Sequence, residues 1–475
     1  MSTTESALSL AEESNLTRSL GVRSIVFLVV AAAAPLTAAA TTIPFVLILS
    51  GNPQAAVYFV VATLILIVFS AGYLRMSRHI PDPGALASFI RAGLGRMSGS
   101  AASTLAIGTY FSSYIALSAY VGVFASQIVG TVSGWQSPWW LWSFVLIIVV
   151  GVLGYREIEL SAKVLGVVLV AETLIVLVVD IAIFAQGGEA GVTGAAVSPV
   201  AAFDAGAPGL GILFAVLAYV GFEASAVFRG EAKNPNRTIP RATYISVIGI
   251  GVFYAFTAWA IVIGVGSSNA VDVAAANPTA IMFDQAARYV SPIVSDIMQM
   301  LFIGSLFAAV LALQNIINRY QLSMSAQRLL PRFVGVIHPK FRAPSNASLV
   351  QTAILLVAFT VIVIAGLDPI VAIYTPFAGS LAFGIVILMF FTSLSTIVYF
   401  ARTRQDTSPW HTAIAPAISM IAFAIVGYFS IANIELLTGS PAGSVFVIGY
   451  LLFLIIAGSV LYVLSARRRT AKVEG

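Results

Sequence analysis

Cysteine is absent from this chain, which excludes both a disulfide framework and a thiolate metal site. Charge is scarce. Only 9% of the 475 residues are Asp, Glu, Lys or Arg, against 59% that are hydrophobic, and that balance excludes a soluble globular domain. The 3 histidines, His79, His338 and His411, fall in or near expected loops without zinc-site spacing. None lies inside an apolar run, where a membrane-embedded enzyme would need its acid–base cluster, so no enzymatic activity is expected. A nucleic-acid role has only the net charge of +5 behind it. The polar segment before Gly21 lacks the pattern of a cleaved signal peptide, and the first apolar run is too long to be an h-region.

What the chain does have is apolar runs of about 20 residues, the length an α-helix needs to cross a bilayer. They predict twelve spans: 24–50, 55–76, 101–131, 138–155, 160–186, 209–229, 241–267, 292–318, 346–366, 370–399, 411–432 and 443–466. β-barrel alternation is not visible, so an all-α integral membrane protein is the expected class. An even number of spans puts both termini on one side. Every Lys and Arg except Arg288 falls on the loops of that same side, which the positive-inside rule makes cytoplasmic. The excess positive charge therefore describes orientation, with the tail "ARRRTAK" set against anionic headgroups.

Two spans carry interruptions. In the first, "AAAAPLTAAATTIP" (Ala31 to Pro44) places a proline at the centre; in the sixth, "AYVGFEAS" (Ala218 to Ser225) places a glycine. Proline kinks in membrane helices often serve packing alone. Here the two interruptions are five spans apart, so their helices cross in opposite directions, as an inverted repeat of five plus five produces. Pro35 lacks an N–H and crowds the preceding turn, so the helix is expected to break near Ala34. The amides of Thr37, Ala38 and Ala39 would then offer a positive dipole end to a carboxylate. Gly221 loosens span 6, freeing the carbonyls of Leu217, Ala218 and Val220 for an ammonium group.

After the second interruption comes "GFEASAVFRGEAKNPNRTIPRA", Gly221 to Ala242. It resembles the signature of the amino acid-polyamine-organocation (APC) superfamily, in which G-F-[DE] precedes an acidic-x-K-N-P-x-R-x-[IL]-P segment. "RHIPDPGALASFIRAGLG" (Arg78 to Gly95) and "RLLPRFVGVIHPKFRAPSNA" (Arg328 to Ala347) are similar to the loops of that superfamily between spans 2 and 3 and between spans 8 and 9. The resemblance covers about residues 20 to 400. It implies a LeuT-type 5+5 inverted repeat with discontinuous helices 1 and 6. On that plan residues 1–23 are a cytoplasmic segment and 24–400 the transport core, with repeats 24–186 and 209–399. Residues 401–466 form peripheral helices 11 and 12, and 467–475 the basic tail. Thr37, Ala38 and Ala39 stand at the superfamily's common G-S-G turn, and Leu217 where an occluding aromatic often sits; both are departures. Phe222 or Tyr219 would then cover the substrate.

Four acidic residues lie in or at the edge of spans: Glu172, Asp180, Glu223 and Asp296. Such groups are expensive in hydrocarbon and are expected to be partnered or to face a cavity. The resemblance puts Glu172 at the span 5 position where proton-coupled relatives carry a lysine, so it is the candidate proton-coupling group, with a structural tie to the span 1 break as the alternative. Glu223 either ties span 6 to its neighbours or relays protons. Span 8 offers Ser305 and then no hydroxyl before Tyr320, which disfavours sodium coupling. Gln314 and Asn315 are expected at the inner pathway or between helices. Tyr114 falls near mid-depth of span 3 and is a candidate for the pocket.

The function expected is import of a neutral, zwitterionic amino acid across the cytoplasmic membrane by proton symport and alternating access. An organic-amine permease or an exchanger is second, with a channel or sodium-coupled transporter behind. The partners are the amino acid or amine substrate and the lipid bilayer, as monomer or homodimer, with no nucleic acid. No cofactor is expected beyond the proton gradient.

Overall fold

The computed structural model describes residues 20–80, 85–156, 162–223, 225, 232–341, 343–406, 408–438 and 440–470. Outside it lie residues 1–19 of the N-terminal segment, 81–84 and 342 of the two family-like loops, 157–161, residues 224 and 226–231 of the signature after span 6, 407, 439 and the tail from 471.

Among the described residues the regular elements are helices, with one parallel bridge between Leu20 and Ala232. Beside that bridge the Lys233 N–H donates to the Leu20 carbonyl at 3.0 Å, joining the chain entering the first span to the chain leaving the sixth. The first half contains α1 (Val22–Ala33), α2 (Pro35–Ser50), α3 (Ala55–His79), α4 (Ala85–Leu94), α5 (Arg96–Ser133), α6 (Trp139–Tyr155) and α7 (Ala162–Gln186). The second begins with the short α8 (Pro199–Asp204), then α9 (Pro208–Leu217), α10 (Pro235–Val265), α11 (Ala270–Ala276), α12 (Ile281–Tyr289), α13 (Pro292–Ala326) and α14 (Ser345–Ile364). It ends with α15 (Thr375–Thr403), α16 (Ala415–Ala432), α17 (Ile434–Thr438) and α18 (Pro441–Thr470).

Within hydrocarbon every backbone polar group must be satisfied inside the segment, so long apolar runs become helices whatever their individual propensities. Nine described helices are long and apolar enough to cross a membrane. The positions expected for spans 1, 4 and 6 hold the shorter apolar helices α2, α6 and α9. The chain is thus a multi-pass membrane protein. Its outward faces are apolar: Val170, Leu174, Val178 and Ile181 of α7 and Leu452, Phe453 and Ile456 of α18 are all exposed, as side chains meeting lipid should be.

Several helices outrun their expected limits. The expected eighth span stops before Arg319 and the seventh starts at Arg241, but α13 continues past Arg319 to Ala326 and α10 begins at Pro235, ahead of Arg241. Arg319 lies on the wall of an internal cavity, so the helix carries its charge without offering it to lipid. The amphipathic α4 buries Leu86, Phe89 and Ile90, and a Cβ on its Gly93 would stand only 2.7 Å from the Ser395 Cα of α15. Helices α4, α8, α11, α12 and α17 were not anticipated as separate elements. Asp296 corrects an expectation: it is exposed near the start of α13.

Outside the spans, Asp406 pairs with Arg75 at the end of α3. Hydrogen bonding from that guanidinium holds the Asp406 carboxyl well below the ordinary range, at about 2.

Candidate functional site

The first interruption is sharp. Ala34 has φ 44° and ψ 73°, a left-handed conformation rare for alanine, because the following proline disfavours the right-handed helical region. Pro35 then opens α2 at a position where its missing N–H costs nothing. The helix restarts at once, and this corrects the expected set of free amides. The Ala38 N–H already donates to the Ala34 carbonyl at 2.9 Å, and Ala39 lies within the helix. The amides without an intrahelical acceptor are those of Leu36 and Thr37.

Glu172 of α7 meets this helix start from behind. Thr37 Oγ1 donates to Ser305 Oγ of α13 at 2.7 Å, and Ser305 Oγ donates to Glu172 Oε2 at 3.0 Å. The Leu36 backbone amide also interacts with the carboxyl. A buried carboxyl thus stands at the positive end of α2.

The second interruption is longer. After Leu217 the chain makes a run of turns through Glu223, with Gly221 at φ 110°. The Val220 N–H donates to the Leu217 carbonyl at 3.1 Å, so that carbonyl, expected to be free, already has a partner. Glu223 folds back on the break: Oε2 accepts from the Gly221 N–H at 2.9 Å and Oε1 from the Tyr110 hydroxyl at 2.9 Å. Tyr73 of α3 donates to the Glu223 carbonyl at 2.9 Å.

Between the two breaks lies a cavity of about 660 Å³, within the range of small-molecule sites. Thr37, Ala38, Leu217, Ala218, Val220 and Glu223 line it, which brings together six of the residues singled out in the sequence. Its wall is otherwise mostly apolar, from Leu313, Ile316 and Leu381 among others. It extends along α13 past Arg319 and Ser323 to Ala326, toward the arginine-rich end of the bundle. The opposite end is closed by aromatic rings. Tyr374 stands 4.8 Å from Phe45 and 5.1 Å from Tyr120 between ring centroids, and its hydroxyl donates to the Thr41 carbonyl at 2.9 Å.

Five expected residues lie off this wall. Ala39 faces away from it, fully buried. Phe222 packs edge-on against Phe69 and lies 6.3 Å from Tyr73, so it does not cover the cavity; Tyr219 likewise turns to Thr63, 2.6 Å away. Tyr114 is buried with its hydroxyl unpartnered, and Tyr110, one turn earlier on α5, takes the cavity position instead. Glu172 reaches the site only through Ser305 and the helix start. Tyr374 was missed, although a tyrosine two residues before Pro376 in an apolar span was a visible oddity. Gln314 joins helices: it donates to Ser348 and accepts from Gln351, each at 2.9 Å.

A family model described as amino acid permease matches residues 20–460. The chain belongs to the amino acid permease family. That family is one of transporters. The permease is 24% identical over 317 residues to the branched-chain amino acid permease BcaP of Bacillus subtilis (strain 168), a match covering 63% of this chain and 65% of that protein. It is 31% identical over 144 residues to an uncharacterized transporter of Mycobacterium tuberculosis (strain ATCC 25618 / H37Rv), covering 30% of this chain and 31% of that one. A transporter of Rhizobium meliloti (strain 1021) matches at 29% over 137 residues, 28% of each chain. Each match spans less than two thirds of the relative's length.

Proposed function

We propose that this permease imports a neutral aliphatic amino acid across the cytoplasmic membrane together with a proton, by alternating access in a LeuT-type bundle with both termini cytoplasmic. The observation that carries this reading is the double use of one helix start: the turn at Leu36–Thr37 fronts the cavity through Thr37 and meets the Glu172 carboxyl behind. The substrate carboxylate is taken by the amide end of α2 and its ammonium group approaches Glu223. The apolar remainder of the wall receives an aliphatic side chain, in keeping with the branched-chain permease among the relatives.

Coupling follows from electrostatics. An ionised Glu172 competes with the substrate carboxylate for the same dipole end, so protonating Glu172 strengthens substrate binding, and by linkage bound substrate favours the proton. Once both are bound the two charges at the break no longer oppose each other. With the cavity extending to the arginine-rich end and the aromatic rings shut at the other, the described state releases substrate to the cytoplasm.

The test is uptake into proteoliposomes under an imposed pH difference, after a thermal-shift comparison of leucine, isoleucine and valine with charged amino acids and amines. Leucine should stabilise the protein and accumulate. Glu172→Gln should abolish pH-driven accumulation while leaving the leucine thermal shift in place. Undiminished accumulation by that variant would remove Glu172 from the coupling step.

A further inference from the structure

Glu172 is not the sole carboxyl buried in α7. Asp180 lies two turns further along the helix, about 12 Å by helical rise, and is 1% exposed. Its contact is a hydrogen bond from Thr257 Oγ1 of α10 at 2.7 Å, and among the described residues no cation pairs with it. A neutral amide would hold α7 to α10 through Thr257 as well as a carboxyl does, without the cost of an ionisable group in hydrocarbon. The mechanism above leaves Asp180 without a task.

Its surroundings supply one. Beyond it toward the end of α7 opposite the arginine-rich face, Gln285 of α12 sits beside Ile183 and Gly264, buried, with its Oε1 lacking any hydrogen-bond partner. Past that, Gln186 donates to the Tyr289 carbonyl at 2.6 Å. In the other direction, Tyr254 stands one turn before Thr257 on α10 and donates to the Ala33 carbonyl at 3.3 Å. Polar groups thus recur between the outer end of α7 and Glu172: Gln186, Gln285, Asp180 with its bonded Thr257, and Tyr254 one turn from Thr257. An orphaned buried acceptor is where water enters between such groups.

We propose that Asp180 is the relay that delivers protons from the external side to Glu172, a role that rests on the proton-symport reading above. The Asp180 carboxylate takes a proton from external water and passes it by way of the Thr257 hydroxyl and intervening water to the Glu172 carboxylate. Glu172 later loses it to cytoplasmic water, so each proton gained outside is lost inside and no other reactant is needed. The titratable groups on the helices packed against α7 do not substitute for it. On α12 these are Asp284, Arg288 and Tyr289, with Arg288 paired to Glu189; Asp296 of α13 is exposed; α2 carries none. Arg23 of α1, Arg237, Arg241 and Tyr244 of α10, and Arg319 and Tyr320 of α13 lie toward the arginine-rich end.

The experiment uses the full chain in proteoliposomes with radiolabelled leucine. A relay alters how fast protons arrive and leaves stoichiometry alone. Asp180→Asn should lower the initial rate of pH-driven uptake about a hundredfold while leucine-for-leucine exchange continues, and its rate should lose the parent's dependence on external pH. Asp180→Glu should restore both. Thr257→Val, which keeps the carboxyl, should slow uptake in the same direction and covers the case in which Asp180→Asn fails to fold. An Asp180→Asn variant with the parent's rate and pH profile overturns the relay and leaves the Glu172 reading standing. A parent protein that gathers no leucine under a pH difference overturns the symport reading, and the relay with it.

Discussion

The two interrupted spans reach the same cavity by opposite means. In the first, a proline forces one alanine into a left-handed turn and the helix resumes at once, leaving two amides, Leu36 and Thr37, without intrahelical acceptors. In the second, a glycine at positive φ lets the chain run through several turns, and a glutamate of the same segment fills the vacated amide at Gly221. Proline makes an opening and glycine makes a slack loop. The consequence is electrical: the first break offers partial positive charge to the cavity, while the second brings a carboxyl to its wall. On the proposed reading, a zwitterionic substrate presents one end to each.

This contrast can be broken at the second break most severely. Glu223→Ala removes the acceptor for Tyr110 and for the Gly221 amide together, and should destabilise the protein by about 3 kcal/mol, read as a lower melting temperature in detergent. Leucine binding should fall with it; a melting temperature equal to the parent's would mean the carboxyl does not hold the loop. Mirror substitutions test the contrast more finely. Gly221→Ala forces a Cβ into positive φ and should cost about 1 kcal/mol, whereas Ala34→Gly relieves the same strain and should gain about as much. Chemical denaturation of the two variants should move in opposite directions, and shifts of the same sign would show that one of the breaks is not held by backbone conformation.

The smallest expected effect lies at the foot of α3, whose Tyr73 holds the Glu223 carbonyl. The folded Asp406 value of about 2 lies below its ordinary 3.8, so its pairing with Arg75 contributes in full above about pH 4. That contribution is lost as pH falls through about 2. Melting temperature measured against pH should therefore drop less steeply over that acid range in Arg75→Gln than in the parent. Equal slopes would indicate that the pair does not brace α3 against the second break.

Much of this was legible beforehand because it depends on local covalent constraint. The residue before a proline avoids the helical region in any context, so the position of the first break could be read from "AAAAP" alone. Apolar runs likewise become helices wherever water is excluded. What could not be read was which face of a helix meets the cavity. Inside a bundle surrounded by lipid both faces are apolar, and the 3.6-residue periodicity that marks a buried side in soluble proteins loses its contrast. Tyr110 and Tyr114 sit one turn apart on α5, and sequence offered no reason to prefer the first. Phe222 and Tyr374 failed in the same way: their places depend on helices far away in the chain, Phe69 and Tyr73 in one case and Phe45 and Tyr120 in the other. The free amides begin one residue nearer the proline than expected, because the point at which a helix resumes after a proline is set by its packing.

The backbone hydrogen bond between Lys233 and Leu20 has a mechanical consequence. It fastens the lead-in to the first break to the lead-out of the second with a strap that needs no particular side chains. A pull on either lead is carried to the other, so anything grafted immediately ahead of Leu20 would load both at once, and a label meant to leave the two breaks unburdened belongs at the far terminus.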